Sequence, residues 1–211
     1  MLVMKSEESL DKTNNYKFRK PAILMLIFVI AGIYGWCYEF VFYYFNGGMK
    51  EFYMQGGNFL PWINIYAFGA LLFLLFAGPF KKYPWAVILI VAVVSGTFEY
   101  LSGWAIYKIG NGLRYWDYSK EILNFGNING FVCLRSVLVF VFSGLLLIYA
   151  VFPLLDLISK KANSKIFVTV SCLLLVIFLA DEVYNFLASH VFGWVNAITV
   201  YESMGLKYMN Y

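Results

Sequence analysis

PWAVILIVAVVSG (Pro84–Gly96) carries no charge and only one hydroxyl, and the apolar character runs on past it to Tyr107. The run does not alternate polar with apolar, as a half-buried strand would. It is long enough for a helix to cross a bilayer core of about 30 Å, which takes about 20 residues. Four more stretches of this kind surround it: Pro21–Phe45, Pro61–Phe80, Phe131–Phe152 and Ile166–Ala188, the last opening IFVTVSCLLLVIFLA. Three of the five start with proline, which suits the first turn of a helix because its missing N–H has no partner to lose there. Residues 189–211 contain a shorter apolar segment, read as an interfacial helix. The expected fold is therefore all-α: a polytopic transmembrane bundle of about five spans, with a sixth short element lying at the interface.

The composition agrees. Of 211 residues, 62% are hydrophobic, 21% aromatic and 13% charged. Soluble domains carry about 25% charge, so an ordinary soluble enzyme and a disordered tail are both excluded. Three cysteines supply no disulfide framework. The first apolar run is too long for a signal peptide and no small-residue cleavage site follows it. Residues 1–20 are thus expected to stay as a cytoplasmic polar tail, before a bundle over 21–188 and an outer-side segment over 189–211.

Lysine and arginine set the orientation. With the N-terminus inside, ten basic residues fall inside: Lys5, Lys12, Lys17, Arg19 and Lys20 in the tail, then Lys81, Lys82, Lys160, Lys161 and Lys165. Five fall outside, namely Lys50, Lys108, Arg114, Lys120 and Lys207, and Arg135 stays within the fourth span. The expectation is N-in, C-out. The net charge of +4 then reads as a topology signal and points away from nucleic acid. The inner loops, Lys81–Tyr83 and Leu154–Lys165, are short, whereas the outer ones, Asn46–Leu60 and Lys108–Gly130, are longer.

Ionisable side chains are costly inside a membrane and face protein or water. Here they are Glu39, Glu99, Arg135, Asp181 and Glu182, with Asn64 adding an amide. At 1.5 Å per residue, Glu39 lies about 27 Å beyond Pro21, and Glu99 and Asp181 about 22 Å beyond Pro84 and Ile166. Arg135, on a helix running the other way, falls about 24 Å from the inner face. Four helices therefore place charge at a similar level in the outer half. Small residues share the faces: Ala92, Ser95, Gly96, Ser102 and Gly103 with Glu99, and Gly32 and Gly35 with Glu39. Such stripes let helices approach closely, which turns these carboxylates into the bundle. Four carboxylates against one arginine call for protonation, water, a cation or a basic ligand; alternatively, Arg135 with one carboxylate only locks helix packing.

No phosphate-binding G-x-x-x-x-G-K-[ST] loop, G-x-S-x-G elbow or H-E-x-x-H helix is present. His190, the only histidine, sits at an outer helix end. Cys37, Cys133 and Cys172 lie on separate spans without ligand spacing and read as small apolar fillers. Neither a metal nor a cofactor is expected.

GWCYE (Gly35–Glu39), FEYLSGW (Phe98–Trp104), RYWDYS (Arg114–Ser119) and NINGFVCLR (Asn127–Arg135) occur in that order. Over Gly35–Phe152 this resembles the bacterial membrane family known as ABC-transporter type IV, or CmpB-like. The residues that match best are Glu39, Glu99, Arg114, Trp116, Asp117, Asn129 and Arg135, while Gly56–Ala70 lacks the arginine and cysteine usual in that family. The resemblance implies a permease-like component of the bacterial cytoplasmic membrane, working in the bilayer with a separate ATP-binding subunit. A homo-oligomer is compatible with it. On this reading Glu39, Glu99, Arg135, Asp181, Glu182 and Asn64 bind ligand, and Arg114, Trp116, Asp117 and Asn129 form an outer-loop motif. Two other readings stand beside it. One is a membrane enzyme acting on a lipid or lipid-linked substrate of the outer leaflet, with Glu99 or Asp181 as base and Arg135 or Arg114 holding a phosphate. The other is a non-catalytic assembly subunit.

Overall fold

A computed structural model describes the backbone of residues 2–46 and 52–208 and the side chains of residues 18–45 and 52–208. The side chains of Lys5, Lys12, Lys17 and Lys50, counted for orientation, lie outside these, as do residues 47–51 of the loop expected on the outer side and 209–211 of the C-terminal segment.

The apolar runs become helices, with bounds that differ from those expected. Helix α1 (Leu2–Asn46) already includes the polar tail, and Pro21 lies inside it instead of opening it. Its apolar part, Phe18–Phe45, is long enough to cross a membrane. Helix α3 (Pro84–Ile109) does open on its proline. Helix α4 (Leu134–Leu146) continues through a π-turn, Leu147–Val151, into α5 (Phe152–Lys161). The inner loop expected over Leu154–Lys165 is consequently mostly helix. The chain reverses just beyond Lys161, where the Asn163 side chain accepts from the N–H of Lys165 (3.0 Å) and Ile166 (3.3 Å) and so caps α6 (Ser164–Leu187). Among the described residues, four helical stretches can cross a membrane by length and composition: Phe18–Phe45, Pro84–Ile109, Leu134–Lys161 and Ser164–Phe192.

The second expected span is different. Its α-helix, α2 (Asn64–Phe76), has only 13 residues, or about 20 Å of rise, and a 3-10 turn at Gly78–Phe80 follows it. Before it, Phe52–Ile63 descends along α1 without helical structure. Tyr53 donates its hydroxyl to the Phe40 carbonyl (3.1 Å), Gln55 its amide to Trp36 O (2.9 Å), and the N–H of Ile63 bonds Gly32 O (3.0 Å). The three acceptors are four residues apart, one per turn of α1. The sequence explains the interruption: Gly56 and Gly57 take φ of +90° and +78°, a region side chains avoid, and Pro61 lacks a donor. Because bare backbone is not tolerated in lipid, this segment needs partners within the protein.

The C-terminal segment supplies some of them. Two residues of β1 (Tyr53–Met54) pair in parallel with β2 (Lys207–Tyr208), and α7 (Ala197–Ser203) stands between β2 and α6. Asn196 caps α7 by accepting from Thr199 N (3.0 Å), and Asn185 of α6 accepts from Ala197 N (2.7 Å).

Helix α1 packs on α2 and α6, while α3 packs on α4 and α2. The core gathers Ile23, Ile27, Tyr66, Phe73, Val87, Val91 and Phe140, and Trp62 stacks on Phe178 at 4.6 Å. Gly35 lies flat against the Tyr66 ring, with no room for a Cβ. Large apolar residues such as Leu89, Val93, Phe142, Leu173 and Val176 face outward. An apolar exterior over four long helices is the surface a bilayer requires.

Candidate functional site

Glu99, on α3, is only 3% exposed. One carboxylate oxygen accepts the Tyr118 hydroxyl and the other lies 2.7 Å from Ser136 Oγ of α4. Burial and the adjacent Glu99 charge push the Tyr118 phenol well above its usual 10, so it remains a donor throughout the neutral range.

The loop between α3 and α4 is built to hold Tyr118 there. Its N–H bonds Gly130 O (3.0 Å). Arg114 donates to Asn129 O (2.9 Å), pairs with Asp117 (3.6 Å), and lies over the Phe131 and Tyr107 rings at 4.6 and 4.9 Å. Trp116 donates to Phe131 O (2.9 Å), and Asn129 donates its amide to Tyr100 OH (3.1 Å). Gly130 takes φ +77°, and a Cβ there would sit 2.5 Å from both Arg114 Nη1 and Asp117 Oδ1. Burial would raise the Asp117 carboxyl, but hydrogen bonds from Ser119 and the charges of Arg114 and Lys120 hold it below its ordinary value. Arg114, Trp116, Asp117 and Asn129 are thus brought together, knitting RYWDYS to NINGFVCLR.

Below the loop is a chamber of about 30 Å³, lined in part by Tyr38, Glu39, Tyr43, Tyr118, Glu121, Arg135 and Ser136. That is room for one or two water molecules. Arg135 makes an ion pair with Glu121, donates to Ile122 O (2.8 Å), and lies over the Phe42 and Tyr118 rings at 4.4 and 5.4 Å. Tyr43 of α1 donates to the other Glu121 oxygen (3.0 Å). Glu121 therefore latches the loop to both α1 and α4. Arg135 Nε is buried with no partner, an unmet donor beside the chamber.

Asp181, Glu182 and Asn64 form a second cluster and do not line this chamber. Asp181, 9% exposed, accepts the N–H groups of Phe59 (3.0 Å) and Leu60 (2.9 Å) and the Asn185 amide (2.7 Å). Glu182 accepts from the amides of Asn58 (2.8 Å) and Asn64 (3.1 Å). Tyr201 donates to Phe59 O, and Tyr208 accepts from Gly57 N. This cluster meets the hydrogen-bonding needs of the interrupted segment.

The charges expected at one level thus occupy two places, with Glu39, Glu99 and Arg135 on one side and Asp181, Glu182 and Asn64 on the other. Sequence reasoning gave no role to Glu121, Tyr43 or Ser136. A carboxylate in a loop raises no signal until the fold brings a guanidinium to it. The one available clue was that Arg135 needed a partner.

Four membrane-length apolar helices around buried charge define a helical integral membrane protein. Its family is shown by sequence as well: the chain belongs to the family described as "Putative ABC-transporter type IV", which matches over residues 26–186. That stretch runs from within α1 almost to the end of α6 and takes in both polar clusters. No curated protein and no solved structure matches the chain.

Proposed function

We propose that the protein is the membrane-spanning component of an ABC-type transporter of the bacterial cytoplasmic membrane, with its N-terminus inside, and that the chamber under the α3–α4 loop is its ligand site. The observation that carries this is the latch: Glu121 joins α1 and α4 through Tyr43 and Arg135, and releasing it would uncover buried Glu99. On this reading Phe52–Ile63 and α2 together make a fifth crossing, which leaves the C-terminus outside. An ATP-binding subunit would meet the opposite end, where α1 extends past the membrane and Lys160 and Lys161 close α5. Asp181 and Glu182 support the interrupted segment and act on ligand only through it.

The test is to purify tagged protein from its native membrane under mild solubilisation. An ATP-binding subunit should accompany it. In liposomes, Glu99→Gln should lower the ATPase activity of that complex about tenfold, the scale of one lost charge-assisted hydrogen bond, with the yield of complex unchanged. Protein recovered intact without any such subunit contradicts the proposal.

A further inference from the structure

Helix α4 opens at Leu134, and Leu134, Leu138 and Phe142 recur every four residues on a face that the protein leaves exposed. That spacing puts them one above the other on the bilayer-facing exterior. The segment Ile122–Phe125 of the preceding loop lies across the start of this face: the N–H of Leu134 bonds Phe125 O (2.8 Å), and Arg135 donates to Ile122 O (2.8 Å). Ile122, Leu123 and Phe125 are exposed in turn, Phe125 by 64%, so the apolar exterior of α4 continues onto the loop. Leu123 takes φ +53°, a left-handed conformation that is costly for a leucine, and its side chain is nevertheless left uncovered. Large apolar side chains gathered at a surface in this way mark a site of contact with protein or membrane.

Level and charge select the membrane. Leu134–Lys161 comprises 28 residues, or about 42 Å of rise, and a bilayer with both headgroup layers is about 40–45 Å thick. With Lys160 and Lys161 at one surface, Leu134 and the segment lying across it fall in the headgroup layer of the other. Of the charged residues in 108–130, Lys108 and Lys120 are exposed, whereas Asp117 is paired with Arg114 and Lys120, and Glu121 with Arg135. Exposed lysines suit that layer, with their stems along apolar surface and their ammonium groups among lipid phosphates. From this continuity, level and charge, we infer that Ile122, Leu123 and Phe125 insert into the headgroup layer at their end of the bundle, so that the lipid surface anchors the segment beginning at Glu121. The anchor requires neither an ATP-binding subunit nor a particular side of the membrane, and so goes beyond the transporter reading.

Spin-label accessibility in vesicles of phosphatidylglycerol and phosphatidylethanolamine tests it. In full-length protein carrying Cys37→Ser, Cys133→Ser and Cys172→Ser, nitroxide labels would be placed one at a time at Leu123→Cys and Phe125→Cys, with Leu138→Cys as the lipid-facing reference and Lys120→Cys as the reference nearer water. Ile122→Cys repeats the measurement if either loop variant fails to fold. Collisions with oxygen, which concentrates in lipid, are expected to exceed those with a water-soluble nickel chelate at 123 and 125, as at 138, and the ratio should reverse at 120. Nickel collisions at 123 and 125 as frequent as at 120 would place the segment in water and overturn the inference. Immobile labels at 123 and 125 shielded from both reagents would show a protein cover, a second copy or another partner, and overturn it equally. The transporter reading fails separately, on the absence of an ATP-binding subunit, which leaves these collision ratios unchanged.

Discussion

The hydroxyl of Tyr118, in the loop between α3 and α4, donates to the carboxylate of Glu99, buried on α3. Through this bond, residues outside the spans decide how a charge inside them is held. Removing the donor leaves a buried carboxylate oxygen short of a partner, which costs about 1–3 kcal/mol. Tyr118→Phe should lower the thermal midpoint in detergent accordingly. Alkali should act in the same direction. Below pH about 10 the phenol is protonated in both folded and unfolded chains. Above it, the unfolded chain ionises while the folded one, its pKa raised by burial and Glu99, does not, so stability falls as pH rises. That alkaline slope should be shallower in Tyr118→Phe.

Acid should loosen the same loop through Asp117. Its pKa is lowered in the fold, against burial, by Ser119, Arg114 and Lys120. Its contribution is therefore complete above the ordinary carboxylate pKa of about 3.9 and is lost as pH falls through the folded value. Limited proteolysis between Lys108 and Gly130 at falling pH would detect the opening, and Asp117→Asn should show it already at neutral pH.

Asp181 and Glu182 are adjacent but should differ in effect. Asp181→Ala strands two backbone donors, Phe59 N and Leu60 N, in a buried setting, and should cost about 2–4 kcal/mol. Glu182→Ala loses only side-chain amide partners at a half-buried site, for about 1 kcal/mol. Thermal unfolding would rank them, and protease cleavage within Phe52–Ile63 should appear first in Asp181→Ala.

Two glycines make a paired test of helix packing. At Gly35 a Cβ would run into the Tyr66 ring, whereas at Gly69 the nearest atom is 4.0 Å away. Gly35→Ala should destabilise by about 1–3 kcal/mol through forced repacking. Gly69→Ala should be neutral or stabilise by up to about 1 kcal/mol, the helix preference of alanine. Equal midpoints for the two variants would show that α1 and α2 do not meet as described.

Much of the fold was legible because apolar runs such as Ile166–Ala180 leave no alternative to membrane-length helix. Pro21 misled because its position at the start of an apolar run does not prevent a helix from beginning before it. Pro61 misled because the Gly56–Gly57 turns and a pairing with a C-terminal strand, both tertiary matters, delay α2 to Asn64. The depth arithmetic placed the charges at similar heights but carried no information on rotation about the helix axes. It therefore could not separate Asp181, which turns to the interrupted segment, from Glu99, which turns to Tyr118. Glu121 was hidden for a related reason: an ion pair with Arg135 across 14 residues is fixed by the loop's path, not by sequence spacing.

The most direct measurement of the central claim, a ligand chamber closed by Glu121, is the reactivity of a cysteine within it. Val139 lines the chamber. In a background with Cys37→Ser, Cys133→Ser and Cys172→Ser, the protein with Val139→Cys would be treated with a membrane-impermeant maleimide in oriented vesicles. The account predicts slow labelling from the outer side only, accelerated about tenfold or more when Glu121→Gln weakens the latch, the effect of losing about 1.4 kcal/mol or more. Labelling from the inner side, or an outer rate that Glu121→Gln leaves unchanged, would contradict it.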